Sequence, residues 1–361
     1  MAHPATTNIQ IERVEKSRIH EVKWDALVFG RTFTDHFLIA ECVNGTWQSP
    51  RILPYQNLSL SPAISSLHYG QTIFEGMKAY RLKDGSVAIF RIEDHFERMN
   101  YGARKLGMAE VPREIFVDGM KELIALDADW VPSTEGTSLY IRPLLFATDQ
   151  YIGMASSKSY IFLIFACPVP KYYSGELHTK VITDRIRACR GGVGDVKLAG
   201  NYAPTLKVSE QIKKEGFHVA LWLDALEFKY INEFSTMNFF CRIGERVITP
   251  PLDGTILDGI TRRSVIQILK DEGWKVEERP ISMEEVEDTY RKGMLLEAFG
   301  TGTAAAVAPV ARIHYRGHDL WLPEPEKREV IPLLSKRLHE IRYGIVPDPY
   351  NWLTRIEKRY E

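Results

Sequence analysis

The stretch Arg185-Ile-Arg-Ala-Cys-Arg-Gly-Gly-Val-Gly-Asp-Val-Lys197-Leu-Ala-Gly-Asn-Tyr202-Ala-Pro204 holds one lysine, Lys197, behind glycines at Gly191, Gly192 and Gly194. The run 180–187 reads as a strand entering the cluster, and Leu206 to Glu215, stopped by Gly216, reads as the helix leaving it. Lys197 itself stands between Val196 and Leu198. A lysine in such apolar, glycine-rich surroundings is readily stripped of water, the usual route by which an amine becomes a nucleophile or an imine-forming group. Two plainer readings compete. A phosphate-cradling loop would read GxxxxGK[ST], whereas Val196 precedes this lysine and Leu198 follows it. A solvated surface lysine would sit among polar neighbours.

On the C-terminal side, His218 to Leu223 reads as a strand, and Glu233 heads another in a run with little other charge, Asn232-Glu233-Phe-Ser-Thr236-Met-Asn238. Phe239 to Ile243 and Val247 to Thr249 form a hairpin about Gly244-Glu245. Gly259 precedes a helix from Ile260 to Glu272, so Gly259-Ile260-Thr261 offers backbone amides and the positive end of a helix dipole. Ser282 with Glu285 is a capping box. Met294 to Phe299 is a strand running into Gly300-Thr301-Gly302-Thr303-Ala304, with Ala305 to Val310 extended, and the last helix spans Glu326 to Tyr343. The glycine turn is either a hairpin turn or a nest whose amides hold a carboxylate.

Toward the N-terminus, residues 1–24 are a polar arm, and strands follow from Val28 to Val43, with Asn44-Gly45 as a hairpin turn. Leu67 to Tyr80 reads as extended chain and contains Phe74-Glu-Gly-Met-Lys78; Ser86 to Arg91 is another strand. From His95 to Leu106 the period becomes helical, with Phe96, Met99, Ala103 and Leu106 on one stripe. His95 and Arg98 lie three apart, which by itself describes a solvated face. Ile115 to Leu126 is a second helix, and the apolar runs Leu139 to Phe146 and Tyr160 to Cys167 are central strands. Pro168 to Gly175 breaks the pattern. The expected division is an arm at 1–24, a mixed α/β domain at 25–167, a linker at 168–179 and a second domain at 180–361. Neither half keeps a β-α-β rhythm, so the class is α+β rather than a doubly wound sheet.

Composition excludes several functions. A formal net charge of -1, with basic residues dispersed, gives no footprint for nucleic acid or an anionic membrane. Four cysteines at 42, 167, 189 and 241 form no metal spacing, so no metal site is expected. The N-terminus lacks the charged start and apolar core of a signal peptide, and the longest apolar run, Tyr160 to Pro168, is too short to span a bilayer. A cytoplasmic protein is expected.

The runs about Lys197 and Glu233, together with Phe74-Glu-Gly-Met-Lys78, resemble the branched-chain amino-acid aminotransferases, fold-type IV enzymes of pyridoxal 5'-phosphate, from about Phe29 to Pro309. The resemblance implies a smaller N-terminal α/β domain, a larger β-rich pseudo-barrel domain and a homodimer. It makes Lys197 the residue that carries the cofactor and moves the substrate proton, Glu233 the partner of the pyridinium nitrogen and Tyr202 a donor to the phenolic oxygen. Arg98, Ile260, Thr261 and Thr301 would hold the phosphate, with Thr236 beside the cofactor. Phe29, Tyr69, Phe74, Tyr140, Arg142 and Tyr172 would line the side-chain pocket, Tyr69 and Arg142 reaching in from the second subunit, and Thr303 and Ala304 would bind the carboxylate. Vertebrate members carry a CxxC pair where this chain has Ala305 and Ala308, so no thiol regulation is expected there.

The implied reaction is ping-pong transamination of leucine, isoleucine and valine with 2-oxoglutarate. A D-amino-acid aminotransferase or an aminodeoxychorismate lyase would share Lys197, Glu233 and Arg98. The aromatic pocket positions favour the branched-chain reading. A non-catalytic oxo-acid- or nucleotide-binding protein built on the glycine loop is the alternative from another class.

Overall fold

A computed structural model describes residues 9–171 and 175–357. They divide into two compact units, one formed by 9–171, 197–199 and 341–357, the other by 175–196 and 200–340. Two segments therefore fall outside the division expected from sequence. The chain returns at its end because Leu353–Ile356 pairs antiparallel with Val87–Phe90. The Lys197 segment joins the first unit because Phe74 N donates to Lys197 O at 3.1 Å and Ile73 bridges Leu198.

Among its described residues the first unit holds a ten-stranded sheet whose centre is Tyr160–Val169 beside Ser138–Ala147. These two are the apolar runs of the sequence. They read as continuous because both faces are covered. On one face Phe37, Ile39, Ile64, Phe146, Ile161 and Leu163 cluster. On the other, Phe162 stacks on Phe116, and Gly119 brings the Gly119–Leu126 helix so close that a Cβ there would lie 2.6 Å from Leu38. Among the described residues every pairing in this sheet is antiparallel except Gln10–Ile11 with Arg51–Pro54. Asn44 and Gly45 both take positive φ, 50° and 82°, as the tight hairpin requires. The expected extended chain at 67–80 is a helix, Ser65–Tyr69, ended by a left-handed Gly70, then two strands, Thr72–Phe74 and Met77–Arg81.

The second unit closes on itself. Strands Leu177–Ile182, Val219–Leu223, Ile231–Phe234, Asn238–Ile243, Leu295–Gly302 and Ala306–Tyr315 pair in a ring, completed by Ala306–Tyr315 against Leu177–Ile182. This is the expected barrel. Its interior is Val181, Leu221, Phe234, Phe239, Cys241, Ala298 and Ile313, with Ala308 among them. The strand expected over 180–187 ends at Ile182, and the glycine turn is partly absorbed into Leu295–Gly302. Leu206–Lys214 crosses between two parallel strands and buries Val208 and Ile212 against Trp222. The Ser282 cap is present, its Oγ accepting from Glu285 N at 3.1 Å. Cys42, Cys167 and Cys241 are buried and Cys189 is exposed. Among the described residues no helix is long and apolar enough to cross a membrane, and no cluster of side chains suits a metal.

Candidate active site

In the first unit the sequence-predicted residues converge on one ring, Phe74. Lys197 Nζ lies 4.9 Å from its centroid and the Arg142 guanidinium 4.8 Å. Arg142 follows Tyr140 by two on the Ser138–Ala147 strand, hence on the same face, and its Nη2 donates to the Tyr140 hydroxyl at 3.1 Å. Phe29 meets Tyr140 edge-on at 4.9 Å. The wall is possible because residue 76 is glycine: a Cβ there would fall 1.9 Å from the Tyr140 hydroxyl oxygen. The Arg142 side chain thus stacks on Phe74 and bonds to Tyr140 of its own chain. Its Nε is buried without a hydrogen-bond partner, a donor suited to an oxygen ligand. Tyr69 does not join this group; it stands 45% exposed on its short helix. Tyr172 lies outside the described residues.

Arg98 and His95 are not the solvated face that their spacing suggests. Both are buried around Glu75, which is 0% exposed. Arg98 grips that carboxylate bidentately, Nε to Oε1 and Nη2 to Oε2 at 2.7 Å each, and His95 Nδ1 is 2.7 Å from Oε2. Burial alone would push the Glu75 carboxyl up, but the Arg98 and His95 charges hold it well below the usual carboxylate range. Burial pushes His95 down, only partly offset by Glu75. The bidentate pair with Glu75 fixes the orientation of the Arg98 guanidinium. Arg98→Ala leaves Glu75 buried without its cation and should cost about 3–5 kcal/mol of apo-protein stability. Urea unfolding of the apo chain checks this, and an unchanged midpoint would show that Glu75 is not held by Arg98.

In the second unit Glu233, Asn238 and Thr301 are cross-strand neighbours in one row, Glu233 opposite Asn238 and Asn238 opposite Thr301. Glu233 Oε2 accepts from Asn238 Nδ2 at 2.9 Å and Leu257 N at 3.2 Å; Oε1 lies 3.1 Å from Arg187 Nη2. Asn238 passes so close to Gly259 that a Cβ there would lie 2.0 Å from its Oδ1, which seats the start of the Ile260–Asp271 helix beside the row. Ile260 and Thr261, buried in its first turn, and Thr301, 1% exposed with an unpartnered Oγ1, make an anion-donor set. Thr236 is exposed in the turn joining Glu233 to Asn238, and its carbonyl approaches Gly302. Thr303 and Ala304 form the hairpin turn after that strand, followed by Ala306 at φ 59°. Tyr202 is half-buried, its carbonyl accepting from Thr205 Oγ1 at 2.8 Å.

Three residues of this constellation carry no assignment from sequence: Glu75, Arg187 and Asn238. A lone carboxylate inside the apolar run at 72–80 is the one available signal, because a charge placed there must be paired. Arg187 has none, since it lies in a loop and its partner stands 46 residues away on the Ile231–Phe234 strand.

The model of the amino-transferase class IV family matches residues 72–313. Branched-chain-amino-acid aminotransferase 2 of Bacillus subtilis is 42% identical over 96% of this chain and 97% of its own length. A branched-chain aminotransferase of Thermoproteus uzoniensis, solved with norvaline, superposes with TM-score 0.73 at 25% identity over 89% of this chain and 100% of that one. The T.th. branched-chain amino acid aminotransferase, solved with pyridoxamine 5'-phosphate, gives TM-score 0.71 at 27% identity over 89% of this chain and 98% of that one. With its barrel, its lysine on an aromatic wall and its row of Glu233, Asn238 and Thr301, the chain belongs to the class IV aminotransferases, in the group of branched-chain-amino-acid aminotransferases.

Proposed function

We propose that the protein moves the amino group of leucine, isoleucine or valine to 2-oxoglutarate by ping-pong transamination, reversibly, with pyridoxal 5'-phosphate. The observation that carries this reading is the shared Phe74 ring, which places Lys197 and Arg142 against one apolar wall. The cofactor fits the donors present. Lys197 Nζ would tether it, Glu233 would face the pyridine nitrogen and Tyr202 the phenolic oxygen, with Thr236 alongside. Arg98, Ile260, Thr261 and Thr301 would hold the phosphate, and the orphaned Thr301 Oγ1 supports that assignment. When bound, the cofactor supplies a conjugated pyridine ring that accepts the electron pair left on the α-carbon. Lys197 Nζ takes up the α proton, and the Phe29, Phe74 and Tyr140 wall excludes water and rewards branched aliphatic chains at about 0.8 kcal/mol per buried methylene.

Glutamate must enter the same pocket, so a polar group has to receive its distal carboxylate. Arg142 is the candidate through its unpartnered Nε, and Thr303 and Ala304 are assigned to the α-carboxylate. Arg142→Met should raise the Michaelis constants for glutamate and 2-oxoglutarate by roughly ten- to hundredfold, the worth of a charged hydrogen bond, and that for leucine far less. Steady-state kinetics with both donors decide it. Equal effects would make Arg142 a support of Tyr140 and Phe74 instead, and a preference for D-alanine would remove the branched-chain reading.

The working form is proposed to be a cytoplasmic homodimer. Tyr69 and Leu67, exposed on one short helix, are the residues offered to the second copy.

A further inference from the structure

Arg187 has no role in the assignments above, yet it sits against Glu233 with both side chains nearly closed to solvent, 6% and 7% exposed. Its Nη2 also donates to the carbonyl of Gly194 at 3.2 Å and to that of Thr255. Those carbonyls come from two loops in direct contact. A Cβ at 194 would fall 2.6 Å from the Thr255 carbonyl oxygen and 2.5 Å from the Ala188 Cβ, so glycine there is a condition of the contact. Thr255 is itself fixed, its Oγ1 donating to Asp253 Oδ1 at 2.6 Å and accepting from Asn232 Nδ2 at 3.1 Å. Arg187 is thus bolted to rigid backbone. On the opposite side Glu233 Oε2 is held by Asn238 and Leu257, so each carboxylate oxygen has its own clamp.

We propose that Arg187 is the positioning residue of Glu233, supplying the countercharge that lets a carboxylate be buried there and fixing the direction in which it is presented. Gly194, from the glycine cluster before Lys197, then serves Glu233 rather than a phosphate. The inference rests on the role of Glu233 given under Proposed function, but the clamp is a property of the chain without cofactor and can be tested there.

The test is a double-mutant cycle on the apo protein, Arg187→Met and Glu233→Gln singly and together, read by urea unfolding. Arg187→Met should lower the midpoint strongly when residue 233 is glutamate, because a buried carboxylate loses its cation, and much less when it is glutamine. Additive losses would overturn the proposal. Should Arg187→Met not fold, Arg187→Lys keeps the charge without the fork, and its smaller loss should shrink in the same way. A second readout separates positioning from stability. In single turnovers of the holoenzyme with leucine, Arg187→Lys should slow the rate by about tenfold or more with half-saturation nearly unchanged, and slow Glu233→Gln no further. A loss of equal size in both backgrounds also overturns the proposal. A wild-type rate in Glu233→Gln alone would instead refute the role of Glu233, a failure that the apo cycle keeps separate.

Discussion

Lys197→Ala is expected to abolish transamination, a fall of roughly 10⁴-fold or more, because the proposed assignment makes one amine both the tether of the cofactor and the carrier of the substrate proton. The fold should survive. The contacts that seat residue 197 are made by backbone, Phe74 N to the residue 197 carbonyl and the bridge between Ile73 and Leu198, and alanine keeps them. What is lost locally includes the approach of Nζ to the Phe74 face, worth about 0.5–1 kcal/mol at a partly exposed site. Turnover should therefore vanish while the urea midpoint of the apo chain moves little. Borohydride reduction gives the second measurement: it should fix cofactor to the wild-type chain at Lys197 and leave none on the variant after denaturation. Substantial residual turnover, or a label elsewhere, would take Lys197 out of the reaction.

The legible parts are those in which one local pattern names both a structure and a chemistry. Lys197 stands out through its flanks, the two central strands through unbroken apolar runs, and Phe29, Phe74 and Tyr140 through a motif resemblance whose members the sheet gathers on one wall. The illegible parts are pairings across the chain. His95 and Arg98 present the spacing of a solvated helix face, and only the segment bearing Glu75, 20 residues before His95, shows that they are buried ligands of a carboxylate. The five-residue helix Ser65–Tyr69 is too short to display a period, so its sequence reads as extended. Sequence gives Arg142 its strand and face, but not its stacking on Phe74. Thr301 shows the reverse, a position read from resemblance whose physical support, a buried hydroxyl without a partner, only the fold could provide.

Glu233→Gln carries the second large effect, and the two oxygens of Glu233 show why an isosteric change should not be mild. The carboxylate is engaged on both sides: Oε1 faces the Arg187 cation at 3.1 Å, and Oε2 accepts from Asn238 Nδ2 and Leu257 N. Glutamine has one acceptor and one donor in place of two acceptors, so its NH₂ must face either the Arg187 cation or the two donors at Oε2. Leaving such a group unsatisfied costs about 1–3 kcal/mol, which the apo chain should show in unfolding. The kinetic loss is of another kind. A pyridine nitrogen beside a carboxylate keeps its proton and can take up electron density from the α-carbon, whereas a neutral amide offers no charge to hold that proton. Removing such a preorganised electrostatic partner slows the step it serves by about 10²–10³-fold. Cofactor retention should fall much less, because the residues proposed to hold the phosphate, Arg98, Ile260, Thr261 and Thr301, are untouched. The expected result is a single-turnover rate with leucine reduced by at least about two orders of magnitude at nearly full cofactor occupancy. A large primary isotope effect on α-deuterated leucine would place the loss at proton removal. A wild-type rate at full occupancy would reduce Glu233 to a structural member of the row it shares with Asn238 and Thr301.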